Sequence, residues 1–204
     1  MSAGRVILWR HGQTEYNATL RLQGQVDIPL NDSGTAQAAR AAAVLVDEKP
    51  AAIVASDLVR AAGTAQVLGD LAGLDVTLDE RLRERSFGDW EGLTHDQISA
   101  GWPEPFAAWE AGLHPEGVNA ERKGVVGERF AAAVREAADG VDDGGSLVVV
   151  SHGAAIGAGI TTLLGLDPEE WAAISGIGNC HWSMLAASRR APGWRLVAHN
   201  IGAL

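Results

Sequence analysis

The run Arg5-Val6-Ile7-Leu8-Trp9-Arg10-His11-Gly12-Gln13-Thr14-Glu15-Tyr16-Asn17 decides how the rest of the chain is read. Residues 5–9 form a short apolar run without polar alternation, the pattern of a strand covered on both faces in a parallel sheet. Charged residues then begin abruptly at Arg10. They fall at the carboxyl edge of that strand, where open α/β sheets bind their ligands. Residues 52–55 and 146–150 repeat the pattern, running into Ser56-Asp57-Leu58-Val59-Arg60 and Ser151-His152-Gly153. Strand ends of this kind deliver His11, His152, Arg10 and Arg60 to one edge, with Arg60 in the first turn of the following helix. A lone strand-end histidine is ordinarily a loop or core residue, but three matching strand ends point to one site.

Helical patterns follow each of these strands. An alanine-rich helix capped by Ser33 or Asp32 is expected to run to about Asp47, a second helix over 59–71 to be capped by Asp57, and a third to span 154–163. Residues 75–78 read as a further strand, 125–138 as a helix, and 182–187 and 195–198 as closing strands. Alternation of this kind predicts an α/β fold, a three-layer α/β/α sandwich with a mostly parallel central sheet. A chain of 204 residues suits a single domain over 1–204. Residues 88–122 break the pattern with tryptophans, prolines and glycines, and are expected to form a small inserted lid.

Composition narrows the function. A formal net charge of −10 argues against nonspecific nucleic-acid binding, which draws its affinity from clustered Lys and Arg. The apolar run near the N-terminus is too short for a signal-peptide core or a membrane span, so a cytoplasmic protein with no membrane partner is expected. Cys180 is the single cysteine, which excludes an internal disulfide and a thiolate metal site. A homodimer is left open beside a monomer.

Further motifs follow in a fixed order. They are Leu22-Gln23-Gly24-Gln25-Val26-Asp27-Ile28-Pro29-Leu30, then Ser56-Asp57-Leu58-Val59-Arg60-Ala61 with Thr64-Ala65, Leu82-Arg83-Glu84, Phe87-Gly88-Asp89-Trp90-Glu91-Gly92 and Ser151-His152-Gly153. With Arg10-His11-Gly12-Gln13-Thr14 and Asn17, this set covers nearly the whole chain. It resembles the histidine phosphatase superfamily, in the branch similar to cofactor-dependent phosphoglycerate mutases. The resemblance implies His11 as a nucleophile that becomes a phosphohistidine, Arg10, Arg60 and His152 as the phosphate pocket, and Glu84 as proton donor to the leaving group. It places Asn17, Gln23 and Gly24 where a loop reaches the phosphate or the substrate.

The residue types suit that chemistry on their own. Phosphoryl transfer spreads negative charge over the equatorial oxygens, and arginine forks grip those oxygens bidentately. A neutral imidazole attacks with one nitrogen while a backbone acceptor holds the other. Side-chain cations then stand where a metal would, so no metal or other cofactor is expected. An alkoxide leaves poorly, so a nearby carboxylic acid must lend it a proton.

One segment departs from the resemblance. Many relatives carry Gly-Glu-Ser before the late helix, where Glu121 and Arg122 stand here after Gly117-Val118-Asn119-Ala120. Arg122 and Lys123 are candidates to read a second anionic group on the substrate, or else solvated cations at a helix start. Trp90, Trp102 and Trp109 are candidates for an apolar or sugar-stacking wall, with burial as the alternative. Asp89 and Glu91 are expected to be structural or surface charges, Asn179-Cys180-His181-Trp182 a hydrogen-bonded turn, and His95, His114, His181 and His199 surface or satisfied histidines. A phosphomonoesterase acting on a small phosphorylated metabolite is the preferred reading. The pattern is most similar to family members that act on sugar-linked phosphoglycerates. The alternatives are a mutase-type phosphotransferase, which would need a longer arginine-bearing insertion, and a non-catalytic phospho-ligand binder.

Overall fold

A computed structural model describes residues 3–171 and 173–203. In chain order its elements are β1 (Arg5–Arg10), α1 (Glu15–Ala18), α2 (Asp32–Leu45), β2 (Pro50–Ala55), α3 (Val59–Ala72) and β3 (Val76–Leu78). There follow α4 (His95–Gly101), α5 (Pro103–Glu110), α6 (Lys123–Asp139), β4 (Ser146–Ser151), α7 (Gly153–Leu163), β5 (Trp182–Ala187) and β6 (Trp194–Ile201). The strands make one six-stranded sheet in the order β3-β2-β4-β1-β5-β6. β1, β4, β2 and β3 pair in parallel, while β5 and β6 close the edge antiparallel.

Burial of the central strands on both faces explains their unbroken apolar sequence. Val6, Leu8, Leu147 and Val149 pack with residues of α6 and α7 on one face. Ile7, Trp9, Val148 and Val150 alternate with them and pack with α2 and α3 on the other. Each fully buried aliphatic side chain of this kind contributes about 1.5–3 kcal/mol. The three layers therefore follow from the strand pattern. Among the described residues no helix is long and apolar enough to cross a membrane.

Register then positions the functional edge. Arg10 of β1 lies opposite Ser151 of β4, so the next residues, His11 and His152, leave the sheet side by side. Ala55 of β2 lies opposite Val150, which brings Ser56 to the same edge. Gly12 lets the chain pass closely over the start of α2, because a Cβ there would lie 2.4 Å from the Gly34 carbonyl oxygen.

Two helix starts differ from the sequence expectation. Asn31, not Ser33 or Asp32, caps α2 by accepting from Gly34 N at 2.8 Å, and the helix ends at Leu45 in a 3₁₀ turn. Three successive capping-competent residues made the position ambiguous. Asp57 does not cap α3, since its carboxylate is paired with Arg83. Asp27, distant in sequence, accepts from Val59 N at 2.8 Å instead. Residues 88–122 hold a 3₁₀ turn, α4 and α5 around a third cluster of Phe87, Trp90, Ile98 and Val118.

Candidate active site

His11 leaves β1 with its ring fixed by its own neighbour. Nδ1 lies 2.7 Å from the Gly12 carbonyl oxygen, which can only accept, so Nδ1 carries the proton and Nε2 keeps its lone pair. Burial, then the Arg10 and Arg60 charges, holds the imidazole well below its ordinary value and therefore neutral. The strand-end backbone is tied as well: His11 N donates to Ser151 O, Gly12 N to Thr64 Oγ1, and Asn179 Nδ2 to His11 O at 3.1 Å.

The ring centroid of His152 lies 5.1 Å from that of His11. His152 Nε2 is 2.8 Å from Ser56 Oγ, which accepts from Leu58 N and can give its own proton to the ring. With Ser56 as the donor, the His152 proton sits on Nδ1, a buried atom with no partner among the described residues. Burial and Arg60 also push this histidine well below its ordinary value.

Two arginines complete the cluster. Arg10 Nη1 donates to Ile177 O at 2.6 Å, and Arg60 donates from Nη1 and Nη2 to Val26 O at 2.8 Å and Gly24 O at 2.7 Å. Each guanidinium Nε is buried and unpartnered, and neither arginine has a carboxylate within ion-pair distance among the described residues. Burial lowers both below the usual arginine value, with the Glu84 charge opposing it. A buried cation without a counter-charge is costly, so the cluster is built for an anion.

Glu84 sits at the start of α7, where the helix presents free N–H groups. Its Oε1 accepts from Arg85 N and Ala155 N, each at 2.8 Å, and Oε2 from Ala154 N at 3.1 Å. Arg129 fixes the segment beneath it, donating to the carbonyls of Arg81, Arg83 and Glu84 at 2.7, 2.6 and 2.9 Å. The same guanidinium holds both oxygens of Glu121, at 2.8 and 2.9 Å. Burial would raise the Glu121 carboxyl, but Arg129 wins and keeps it below the ordinary value. Glu121, in the segment that departs from the resemblance, thus has a structural role behind Glu84. Arg122 instead pairs with Glu116 at the surface.

The loop residues divide. Asn17 closes a capping box with Thr14, and its Oδ1 also accepts from Asn179 Nδ2 at 3.1 Å. Asn17, Arg10 and Asn179 line a cleft of about 620 Å³ with Tyr16, Arg21 and His95. Gln23 is buried against Thr14 Oγ1 at 3.0 Å. Gly24 acts through its backbone: its φ is +55°, its carbonyl holds Arg60, and a Cβ would lie 2.0 Å from Glu91 Oε1. Glu91 is structural as expected, binding Gln25 N, Phe87 N and Ser86 Oγ.

The sequence reading passed over Ser56 as a partner of His152 and treated Asn179 as only a turn residue. Both touch the site through contacts between distant segments, which spacing along the chain does not reveal. Trp90 is fully buried and not part of an open wall, whereas Trp109 lines a cavity. His199 bonds Ser183 and His181 bonds Asn200, both away from the cluster.

Known proteins resemble the chain over nearly its whole length. Residues 6–202 match the family model of the histidine phosphatase superfamily (branch 1). The glucosyl-3-phosphoglycerate phosphatase of Mycolicibacterium vanbaalenii is 41% identical over 220 residues, spanning 100% of this chain and 97% of that protein. A mycobacterial glucosyl-3-phosphoglycerate phosphatase solved with VO3 superposes with a TM-score of 0.89 at 40% identity, covering 98% of this chain and 100% of that one. Phosphoglycerate mutase-like protein 4 of Arabidopsis thaliana is 36% identical over 155 residues, 74% of this chain and 67% of that protein. With this match over nearly its whole length and a strand-end cluster of the expected residues, the chain belongs to the histidine phosphatase superfamily, branch 1.

Proposed function

We propose that the protein is a cytoplasmic phosphomonoesterase that hydrolyses a sugar-linked phosphoglycerate through a phosphohistidine at His11. The observation that carries this reading is the neutral His11, with its Nε2 lone pair free, beside the buried Arg60 and part-buried Arg10, neither in an ion pair among the described residues, and the unpartnered Nδ1 of His152. Nε2 attacks phosphorus as the phosphorus–oxygen bond to the alcohol breaks, and protonated Glu84 gives its proton to the departing oxygen. Glu84, now a carboxylate, takes a proton from water, whose oxygen attacks phosphorus and breaks the phosphorus–nitrogen bond. Arg10 and Arg60 hold the equatorial oxygens throughout, where their charge counts most, and the neutral His152 adds a hydrogen bond.

Hydrolysis is favoured over mutase chemistry because residues 88–122 form only a 3₁₀ turn, α4 and α5, short of the extended arginine-bearing insertion that a mutase would need. The substrate class is supported by full-length relatives at about 40% identity that bear that activity in their names. Phosphate release from a panel of phosphorylated metabolites tests the reading. A sugar-linked phosphoglycerate is expected to give the highest kcat/KM, with activity lost in His11→Ala and retained after exhaustive chelation. Turnover in His11→Ala, or interconversion of phosphoglycerates faster than hydrolysis, would overturn it.

A further inference from the structure

A second cavity, of about 320 Å³, shares Gly153 and Ala154 with the start of α7, where Ala154 N binds Glu84. Arg85 enters it as the residue next to Glu84. Its side chain is buried, 3% exposed, and its hydrogen bond is from Nε to Glu121 O at 2.6 Å. The guanidinium carbon stands 5.3 Å from the Phe87 ring centroid, and Nη2 is buried with no partner among the described residues.

The neighbouring carboxylates hold other hydrogen-bond partners, and the Glu169 charge acts on Arg85 and Lys123 only through space. Glu121 is taken by Arg129, Glu84 by three backbone N–H groups, and Glu169 Oε1 by Gly124 N at 2.9 Å. Lys123, also on the wall, donates to Gly112 O at 2.5 Å and has no ion pair among the described residues. Two cations therefore border a cavity whose wall includes Phe87, Trp109 and Trp171 with small, aliphatic and hydroxyl-bearing residues. Such a lining suits an organic group with one anionic end, and a guanidinium fork matches the planar oxygens of a carboxylate.

We propose that this cavity receives the leaving group, that Arg85 with Lys123 binds a carboxylate on the departing alcohol, and that Trp109 and Trp171 face its remaining carbon skeleton. The inference rests on the phosphatase reading, since the cavity adjoins the residue that would protonate the alcohol. It assigns substrate selection to Arg85, which touches neither phosphate nor water in the reaction.

The test compares two small substrates, 3-phosphoglycerate and glycerol 3-phosphate, which differ in the carboxylate. The ratio of their kcat/KM values in the wild type should fall by about 10–100-fold in Arg85→Met, chiefly through KM for the carboxylated substrate. Arg85→Lys should recover part of the ratio, and Lys123→Met should lower it less. If Arg85→Met does not fold, Lys123→Met and competition by glycerate against p-nitrophenyl phosphate carry the same test. An unchanged ratio with unchanged glycerate competition would overturn the proposal. Absence of hydrolysis of every phosphomonoester in the wild type would instead defeat the phosphatase reading, and glycerate binding by calorimetry, lost in Arg85→Met, would still report on the cavity.

Discussion

At the carboxyl edge of the sheet three functional side chains stand just past strands whose register is set by their neighbours: His11 after β1, Ser56 after β2 and His152 after β4. Across residues 84–123 the functional side chains stand in loops and at helix starts. There position depends on side chains from elsewhere, such as Arg129 beneath Glu84 and Glu121 against Arg129. The first region can be rigid because backbone ladders hold it, and in the proposed reaction its cations grip the part common to all phosphomonoesters. The second can vary with the alcohol, because side-chain contacts can be exchanged without disturbing the sheet. In the proposed reaction, phosphate binding is thus separated from leaving-group handling by how each region is held.

Removing the acid should show this division most strongly. Glu84→Gln keeps the shape of the side chain but cannot give a proton, so phosphorylation by an alkyl phosphate should slow by about 10²–10⁴-fold. For p-nitrophenyl phosphate, whose leaving group needs little protonation, the first step should slow far less and a nitrophenol burst should appear in rapid mixing. Equal slowing for both substrates would move the acid role elsewhere, with Asp89 and Glu15 next to examine.

Arg129→Met should loosen the second region while sparing the first. Removing one partner of a buried pair costs about 3–5 kcal/mol, and about 2–3 kcal/mol is expected here because solvent reaches roughly a fifth of each side chain. Urea unfolding gives that figure directly. Within the folded variant, alkyl phosphates should lose more activity than p-nitrophenyl phosphate, since Glu84 is the group left unsupported. A uniform loss would contradict the division.

Ser56→Ala probes the first region more gently. Without the hydroxyl, the proton of His152 is no longer directed to Nδ1, and kcat should fall by about tenfold, the worth of one hydrogen bond. Both kinds of substrate should suffer alike, and Ser56→Thr should restore the rate. Failure of threonine to rescue would show that Ser56 acts through packing.

Protonation offers the smallest effect. His11 and His152 are held neutral in the folded chain, whereas in the unfolded chain histidine titrates near about 6.5. Stability from this source is whole above that pH and declines as the pH falls toward the lower folded values, by at most about 1.4 kcal/mol per unit for each histidine. Urea midpoints between pH 6.5 and 5 should therefore fall, and fall less steeply in His152→Gln. An equal slope in both proteins would place the titrating groups elsewhere.

The same division governs what could be read in advance. Apolar runs ending in Arg10-His11-Gly12 and Ser151-His152-Gly153 announce both the parallel strands and the residues at their ends, because a strand's period and edge are local properties. Arg60 was placed as readily, one turn into α3. Asp57 was misassigned as a cap because its partner, Arg83, is far along the chain. Trp90 and Trp109 look alike in sequence, yet one fills the third cluster and the other faces a cavity. Arg85 lay hidden among Arg81, Arg83 and Glu84, three of which are paired or bonded while it alone points an unsatisfied Nη2 inward.

The central claim is that His11 carries the phosphoryl group, and trapping that intermediate tests it most directly. Rapid quenching in base during turnover of a labelled phosphomonoester should yield protein-bound phosphate that survives alkali, is released by acid, and maps to Nε2 of His11. Turnover without such an adduct under conditions where the burst shows the first step is faster than the second, or an adduct released by alkali, would contradict the account.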